Sequence, residues 1–235
     1  MIDIIIPTLG ADRCILETIS SLDNWKPLVG KIIIVSKSNE IYQILCVRDS
    51  LDNIEIILGG HSVYSAMNLG LRAATSEYVY FIGEGDKVHP LGFYIEKSLT
   101  DGCDLLLAGV NYIDEDNATS KTLPRFLNFR KPYFLSLLVN SGWPHQGMIL
   151  SRKLHREFDD RYSIVADQIN LFKLSRKIKK IIWSSKIISD FNTGGISSDK
   201  EKRRLEWMIF YNEFIQSPEL SMIKKLLIRI RLCFL

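Results

Sequence analysis

The stretch EYVYFIGEGDKVHP at residues 77–90 decides the fold class. Its run YVYFI contains only β-branched and aromatic residues, which is typical of a strand buried on both faces, and Gly83 ends the run. Glu84 and Asp86 follow at the carboxyl end of that strand. Ligands bind at this end in open α/β sheets, and paired carboxylates there suit a hard cation that carries phosphates. A polar β-turn explains the Gly-Asp pair equally well, so both interpretations stay open.

Strand and helix patterns alternate on both sides of this stretch. Three buried-strand runs separated by two helical runs occupy the first 58 residues, which predicts a parallel, doubly wound sheet. The predicted fold class is therefore α/β, with a mostly parallel sheet and helices on both faces. From residue 111 to 144 the regularity fades, which is typical of a functional or mobile connection. Strands are predicted at residues 2–7, 31–35, 54–58, 78–82, 104–110, 146–150 and 181–188, and helices at 13–22, 41–48, 62–74, 92–99 and 165–174.

Bulk properties exclude several classes of protein. With 46% apolar and 24% charged residues the chain is neither disordered nor fibrous, and a net charge of +3 gives no reason to expect a nucleic-acid partner. The 4 cysteines are widely spaced and form neither a metal-binding pair nor a disulfide framework, so a reducing cytoplasm is expected. The start of the chain lacks the basic region of a signal peptide, and no apolar run reaches membrane-spanning length.

Five separated motifs occur in an order that indicates a known family. The succession resembles the bacterial glycosyltransferases of family 2, and especially the small enzymes with the Rossmann-like GT-A fold that add sugars to surface polysaccharides. The likeness covers residues 2–197 and is specific because the motifs keep their order. It implies a GT-A domain at residues 1–197 and a helical extension at 198–235. The motifs are PT at 7–8, VYSAMNLGLRAATSEYVYFIGEGD at 63–86, PHQ at 144–146, FDDRYSIVADQINLFKL at 158–174 and FNTGGISS at 191–198.

The resemblance assigns roles to two aspartates. Asp86 matches the last acid of the family's metal-binding stretch, so it is expected to hold Mg²⁺ or Mn²⁺ against a nucleoside diphosphate. Glu84 would reach the same ion directly or through water. Asp167, in the stretch IVAD, matches the family's general base, and a carboxylate at the start of a helix stays ionised as a base requires. A helix cap is the other interpretation of Asp167.

Other residues match the family's donor and acceptor motifs. Pro7 and Thr8 resemble its loop over the nucleotide base, and Asn68 falls on the asparagine of its Y-D-A-M-N motif. His145 and Gln146 match a His-Gln pair that lies near the acceptor and the diphosphate. A lone histidine is, however, more often a packed or surface residue, so this assignment rests on the motif alone.

The donor half departs from the family pattern. Ser36 stands at the position of an acid that would accept a hydrogen bond from the uracil ring, and Ser65 stands where Y-D-A-M-N has its aspartate. Glu84 has no firm counterpart, and neither the D-x-D nor the N-S-G-D form of the metal motif is present. Ser36 and Glu84 are still expected in the nucleotide-sugar site. The lost acids predict either altered nucleotide recognition or a weakened or inactive enzyme.

The last fifteen residues have the pattern of a basic amphipathic helix. Such a helix lies on an anionic membrane, so residues 221–235 are predicted to bind the inner face of the cytoplasmic membrane. Because Ile228, Leu232 and Leu235 interrupt the basic face, a helix docked on the domain or on a second subunit, as in a homodimer, is the alternative. The cations are Lys224, Lys225, Arg229 and Arg231, and the apolar side holds Met222, Ile223, Leu226, Leu227, Ile230, Cys233 and Phe234.

The residues and the resemblance together predict an inverting glycosyltransferase, cytoplasmic and peripheral on the inner membrane face. It would move a sugar from a nucleotide sugar, expected to be UDP-linked, to a lipid-linked saccharide in surface polysaccharide synthesis. One alternative is an inactive GT-A homologue that serves as a binding or scaffold subunit. The other is a metal-dependent nucleotidyltransferase, which is disfavoured because no glycine-rich loop with a basic residue follows the first strand.

Overall fold

The computed structural model describes residues 1–8, 14–46, 53–90, 92–114, 119–122, 143–174, 177–193, 199–218 and 220–233. Its strands are β1 (Ile2–Thr8), β2 (Val29–Ser36), β3 (Ile54–Leu58), β4 (Tyr78–Phe81), β5 (Lys87–Val88), β6 (Leu105–Ile113), β7 (Thr119–Thr122), β8 (Met148–Ser151) and β9 (Ile181–Asn192). Its α-helices are α1 (Cys14–Ser21), α2 (Glu40–Leu45), α3 (Val63–Ala73), α4 (Gly92–Thr100), α5 (Ala166–Leu174), α6 (Lys200–Ile215) and α7 (Met222–Leu232). Short 3₁₀ helices lie at Leu22–Trp25, His145–Gly147 and Arg152–Leu154.

The strands form one sheet in the order β3-β2-β1-β4-β8-β6-β9-β5, with β7 paired to β6. β1 pairs in parallel with β2 on one side and β4 on the other, and β2 pairs in parallel with β3. β8 is antiparallel to β4 and β6, and β9 is parallel to β6. The predicted α/β fold class is confirmed. The strand order reverses between β1 and β4, and this switch point is where ligands of such sheets bind.

Alternate residues of the central strands enter two separate cores, as the twofold side-chain period of a strand requires. Ile4 and Ile6 of β1 lie with Tyr80 in a core covered by α1, α2 and α4. Ile5 lies with Phe81 in a second core, covered by α3, α5, α6 and α7. The helices thus cover both faces of the sheet, and the carboxyl ends of β1 and β4 are left to form a site between the two layers.

The segment in which regularity was expected to fade begins with ordered structure. β6 continues to Ile113 and pairs antiparallel with β7, whose sequence TSKT has no apolar alternation. The backbone pairing with β6 forms β7, and a polar run without apolar alternation gives no strand signal in the sequence. Residues 115–118 and 123–142 of this segment lie outside the described residues.

The two C-terminal helices pack on the second core. α6 buries Trp207, Phe210 and Tyr211, and α7 buries Ile228. The predicted helical extension is therefore part of the core that α3 and α5 share, while the predicted boundary at residues 197 and 198 lies outside the described residues. Among the helices that the structure describes, none combines the length and apolar character needed to cross a bilayer.

Candidate active site

The switch point brings predicted donor-site residues together from three strand ends. Pro7 and Thr8 end β1, and the parallel register sets Thr8 beside Ser36 at the end of β2. The Thr8 hydroxyl donates a 2.5 Å hydrogen bond to Oε2 of Glu84, which lies just after β4. Ser36 is fully buried, and its hydroxyl bonds to the backbone of Ser38. Pro7, Thr8, Ser36 and Glu84 thus lie at one edge of the sheet, as a shared donor site requires.

Asn68, the remaining residue of the predicted donor set, is bonded elsewhere. It lies on α3, where its Nδ2 donates to the Phe158 carbonyl at 2.9 Å and its Oδ1 accepts from the Phe158 amide at 2.7 Å. This two-way pair holds the chain that leads to α5 against α3. A part for Asn68 in nucleotide binding stays a prediction.

Asp86 lies in a tight turn, as the turn interpretation predicts, and its carboxylate is buried; a cation at this position stays a prediction. Its amide donates to the Gly83 carbonyl at 3.2 Å, and Gly85 takes a φ of +87°, in the region that favours glycine. Asp86 Oδ2 accepts from the Gly83 amide and from Gln146 Nε2, both at 3.1 Å, while Oδ1 accepts from the Asn192 amide at 3.0 Å. The turn after β4 is thereby joined to β9 and to the 3₁₀ helix at His145–Gly147.

Burial sets the protonation of Asp86. Only 3% of the residue is exposed, and burial raises the pKa of Asp86 to about 6, against the lowering effects of the Asn192 amide, Gln146, His145 and the Gly83 amide. The carboxylate therefore gains its full charge only above that pH. A cation that binds Asp86 would bind more weakly in mildly acidic solution.

A cation at this edge of the sheet would have few ligands from the protein among the described residues. The described ranges contain no group of three or more His, Cys, Asp or Glu side chains that could hold a metal ion. Asp86 already accepts three hydrogen bonds, which leaves about one of its four acceptor positions free. Mg²⁺ in nucleotide sites takes one or two carboxylates and draws its other ligands from phosphates and water. A cation here would rest on Asp86 together with phosphates and water, and metal binding by Asp86 and Glu84 stays a prediction.

Asp167 is the second residue of α5, and its carboxylate makes three polar contacts. Oδ1 accepts from the Tyr64 hydroxyl at 2.9 Å and from the Gln168 amide at 2.8 Å, and Oδ2 lies 3.1 Å from His145 Nδ1. Because α5 begins at Ala166, the carboxylate lies in the first turn, near the positive end of the helix dipole, and not at the cap position. Burial and the charge of Asp167 raise the pKa of Tyr64, which keeps its hydroxyl protonated as a donor.

The dipeptide His145-Gln146 joins the two aspartates to which sequence analysis gives chemical roles. His145 contacts Asp167 and Gln146 donates to Asp86. The Gln146 carbonyl accepts from the Tyr80 hydroxyl at 2.8 Å, and this fixes the backbone of the pair. An ionised Asp167 would accept a hydrogen bond from His145 Nδ1 in the ring tautomer that carries its hydrogen there.

A largely apolar, partly open pocket lies beside Asp167. His155 lines it, and within the described residues neither of its buried ring nitrogens has a hydrogen-bond partner. Burial lowers the pKa of His155 to about 4, so the ring is neutral and offers an occupant one donor and one acceptor. The pocket is lined by Val79, Phe81, Leu105, His145, Met148, Leu150, His155, Phe158, Asp167, Asn170, Leu171 and Leu174.

Sequence reasoning missed two residues that shape the site. Tyr64 bonds to Asp167, and the only available signal is that a buried tyrosine hydroxyl needs a partner. Asn192 holds the turn twice, through its amide to Asp86 and through its Nδ2 to the Gly85 carbonyl at 2.6 Å. It lies in the motif FNTGGISS, which marks the region without indicating this contact.

The sheet order and the likeness to solved structures show the GT-A type of α/β fold. Comparison of the sequence with protein-family models and with curated proteins gives no match. Among solved structures, S. aureus TarS 1-349 has a TM-score of 0.69 and 16% identity over 99% of this chain and 70% of that chain. The structure of S. aureus TarS 1-349 in complex with UDP-GlcNAc has a TM-score of 0.69 and 16% identity, and the match covers 98% of this chain and 71% of that chain.

A second solved structure shows the same fold. Mannosyltransferase PcManGT from Pyrobaculum calidifontis, in complex with GDP-Man and Mn²⁺, has a TM-score of 0.63 and 12% identity over 98% of this chain and 68% of that chain. In a longer structure of TarS the matched region is 42% of that chain, so this chain spans less than half of it. At these identities the likeness concerns the fold.

Proposed function

We propose that the protein is a glycosyltransferase that uses a nucleotide-sugar donor, UDP-linked, and inverts the sugar configuration. The observation that carries the proposal is the link from Asp167 through His145-Gln146 to Asp86 beside the switch point. The link joins a proton acceptor to the edge where a diphosphate would lie. Structural neighbours support the substrate class, since TarS is solved with UDP-GlcNAc and PcManGT with GDP-Man and Mn²⁺.

In the proposed reaction the donor lies along Pro7, Thr8, Ser36 and Glu84. Asp167 accepts the proton of an acceptor hydroxyl, whose oxygen attacks the anomeric carbon opposite the nucleoside diphosphate. The new glycosidic bond forms as the bond to the diphosphate breaks, and the sugar configuration inverts. Asp86, with help from Glu84, would hold Mg²⁺ or Mn²⁺, which when bound neutralises charge on the leaving group.

We propose that α7 binds an anionic membrane surface, which would bring the enzyme to a lipid-linked saccharide on the cytoplasmic side. The helix buries Ile228, one of the residues that interrupt its basic face, and exposes an apolar stripe on the opposite side. Met222, Ile223, Leu226 and Ile230 of this stripe are 81%, 73%, 58% and 48% exposed. Arg229 is exposed beside it, which suits anionic headgroups.

Vesicle binding tests the membrane proposal. The wild-type chain is expected to sediment with phosphatidylglycerol vesicles and not with phosphatidylcholine vesicles, and a Leu226→Ser, Ile230→Ser variant is expected to stay in solution. If the wild-type chain sediments with neither kind of vesicle, the membrane proposal is contradicted. If it instead forms a dimer that the double variant loses, the stripe is an interface between two copies of this chain.

A donor panel tests the proposed activity against its alternatives. Calorimetry with several UDP- and GDP-sugars, with and without Mn²⁺, is expected to show binding of at least one donor. Binding of none would favour a scaffold subunit, the alternative motivated by Ser36 and Ser65 at positions where the family has acids. Release of pyrophosphate from a nucleoside triphosphate and a sugar phosphate would instead indicate a nucleotidyltransferase.

A further inference from the structure

Glu206 is a buried carboxylate that the proposed reaction does not use. It lies on α6, on the same buried face as Trp207, Phe210 and Tyr211, and only 6% of the residue is exposed. Placing a carboxylate among aromatic side chains is costly unless hydrogen bonds compensate for the lost water. The partners of Glu206 therefore show what its burial achieves.

In the part of the chain that the structure describes, every hydrogen bond to the Glu206 carboxylate comes from one short segment. Oε1 accepts from the Ser163 amide at 2.8 Å and from the Ser163 hydroxyl at 2.7 Å. Oε2 accepts from the Ile164 amide at 2.9 Å and from the Val165 amide at 3.1 Å. These are three consecutive amides directly ahead of α5, which begins at Ala166. Glu206 thus fixes the chain as it enters the helix that carries Asp167.

A second contact connects the same segment to Asp167. The Tyr64 hydroxyl lies 2.8 Å from the Ile164 carbonyl oxygen and 2.9 Å from Asp167 Oδ1. Because a hydroxyl has one hydrogen, Tyr64 shares it between these two acceptors. Ile164 is therefore held on its amide side by Glu206 and on its carbonyl side by Tyr64. A shift of this segment would move both Tyr64 and Asp167 from their positions.

We propose that Glu206 is a positioning residue for Asp167, acting through the 163–165 segment and Tyr64. The inference rests on the proposed glycosyl transfer, in which Asp167 accepts the acceptor proton. In this proposal α6 helps to position Asp167, in addition to covering the second core. Because a misplacement of about 1 Å can cost about 100-fold in rate, the effect should appear in turnover and not in donor affinity.

The test compares Glu206→Gln with a matched control. The glutamine keeps the size of the side chain but presents an NH₂ group to backbone amides. We therefore expect kcat to fall about 10- to 100-fold, with the donor KM within about twofold of wild type.

The control is Asp3→Asn. Asp3 is buried like Glu206, and at the amino end of β1 it accepts from the amides of Lys31, Thr75 and Ser76 and from the Ser76 hydroxyl. It should lose thermal stability but keep kcat per folded molecule.

Two further variants decide whether Glu206 acts through the segment. In a double-mutant cycle on kcat, Glu206→Gln and Tyr64→Phe should be non-additive because both loosen the same segment. If Glu206→Gln does not fold, Ser163→Ala removes one of the four bonds, and kcat should fall about fivefold. The inference would be overturned by a wild-type kcat in Ser163→Ala or in a folded Glu206→Gln chain. Additive effects in the cycle would also overturn it. None of these outcomes would affect the proposed function. A wild-type enzyme that transfers no sugar would contradict the proposed function and the inference with it.

Discussion

Asp86 and Asp3 are buried aspartates whose surroundings shift their pKa values in opposite directions. At Asp86 burial dominates and raises the pKa to about 6. At Asp3 burial also raises the pKa, but hydrogen bonds from Ser76, Thr75 and the Lys31 amide outweigh it, so the pKa is lowered. Asp3 therefore contributes stability above its unfolded pKa and loses it as the pH falls through its lowered folded value. Asp86 does the reverse, since its contribution is full below its unfolded pKa and is lost as the pH rises through about 6.

The raised pKa of Asp86 predicts a pH dependence of cation binding. Protonation below about pH 6 removes the charge that a divalent ion needs, so Mn²⁺ affinity in the presence of UDP should fall as the pH drops from 8 to 5. Titration calorimetry across that range measures the effect, with circular dichroism at each pH to show that the chain stays folded. Equal Mn²⁺ affinity at pH 5 and pH 8 would show that Asp86 is not the ligand.

Among single residues, the sequence marks the candidate reactive side chains but not the residues that hold them in place. Asp86, Asp167, His145 and Gln146 lie in motifs whose order marks them, and the structure joins them in one network. Glu206 has only a weak signal, an acid within the apolar run LEWMIFY. That signal indicates a buried carboxylate but not its partners, which lie 41 to 43 residues earlier in the chain.

Among the secondary-structure elements, α3 lies against β1 because Gly70 has no side chain. A Cβ at Gly70 would come within 2.4 Å of Ile5 Cγ2. Gly70→Ala should therefore destabilise the fold by about 1–3 kcal/mol, although alanine has the higher helix propensity. Urea unfolding measures the change, and Asn212→Ala on the exposed side of α6 is the control, expected within about 0.5 kcal/mol of wild type. A Gly70→Ala chain at least as stable as wild type would show that α3 can move away from β1.

Whether the sequence predicts a strand depends on how much apolar surface that strand buries. Strands β1, β2, β4 and β6 are found because both faces are buried and the runs are continuously apolar. β5 and β7 are missed because one has two residues and the other is polar, and both depend on backbone pairing to longer strands. Long-range pairing of this kind leaves no local trace in the sequence.

On the scale of the whole molecule, the two C-terminal helices differ in how much core they hold. Removing residues 198–235 would expose the surface now covered by Trp207, Phe210 and Tyr211, so a chain of residues 1–197 should be insoluble or lack a cooperative unfolding transition. A chain of residues 1–220 keeps α6 and loses α7, so it should fold, with lower stability because Ile228 is gone. Thermal unfolding distinguishes the two. A cooperative 1–197 chain would establish that the extension is separable.

The order of apolar runs predicts the doubly wound topology, because short connections and right-handed crossovers leave few arrangements open. It does not predict that Glu206 of α6 binds the residues just before α5, since that contact depends on how distant helices pack on one face of the sheet. The motifs indicate where the site lies, and the packing determines which side chains orient it.

The turnover of the Asp167→Asn variant decides whether Asp167 is the general base. The amide cannot accept the acceptor proton, so the account predicts that kcat falls about 10²- to 10⁴-fold. Donor affinity measured by calorimetry should stay within about twofold, because Asp167 lies on α5 and the proposed donor site lies at the ends of β1, β2 and β4. Turnover close to that of wild type in a folded Asp167→Asn chain would contradict the assignment of Asp167 as the base.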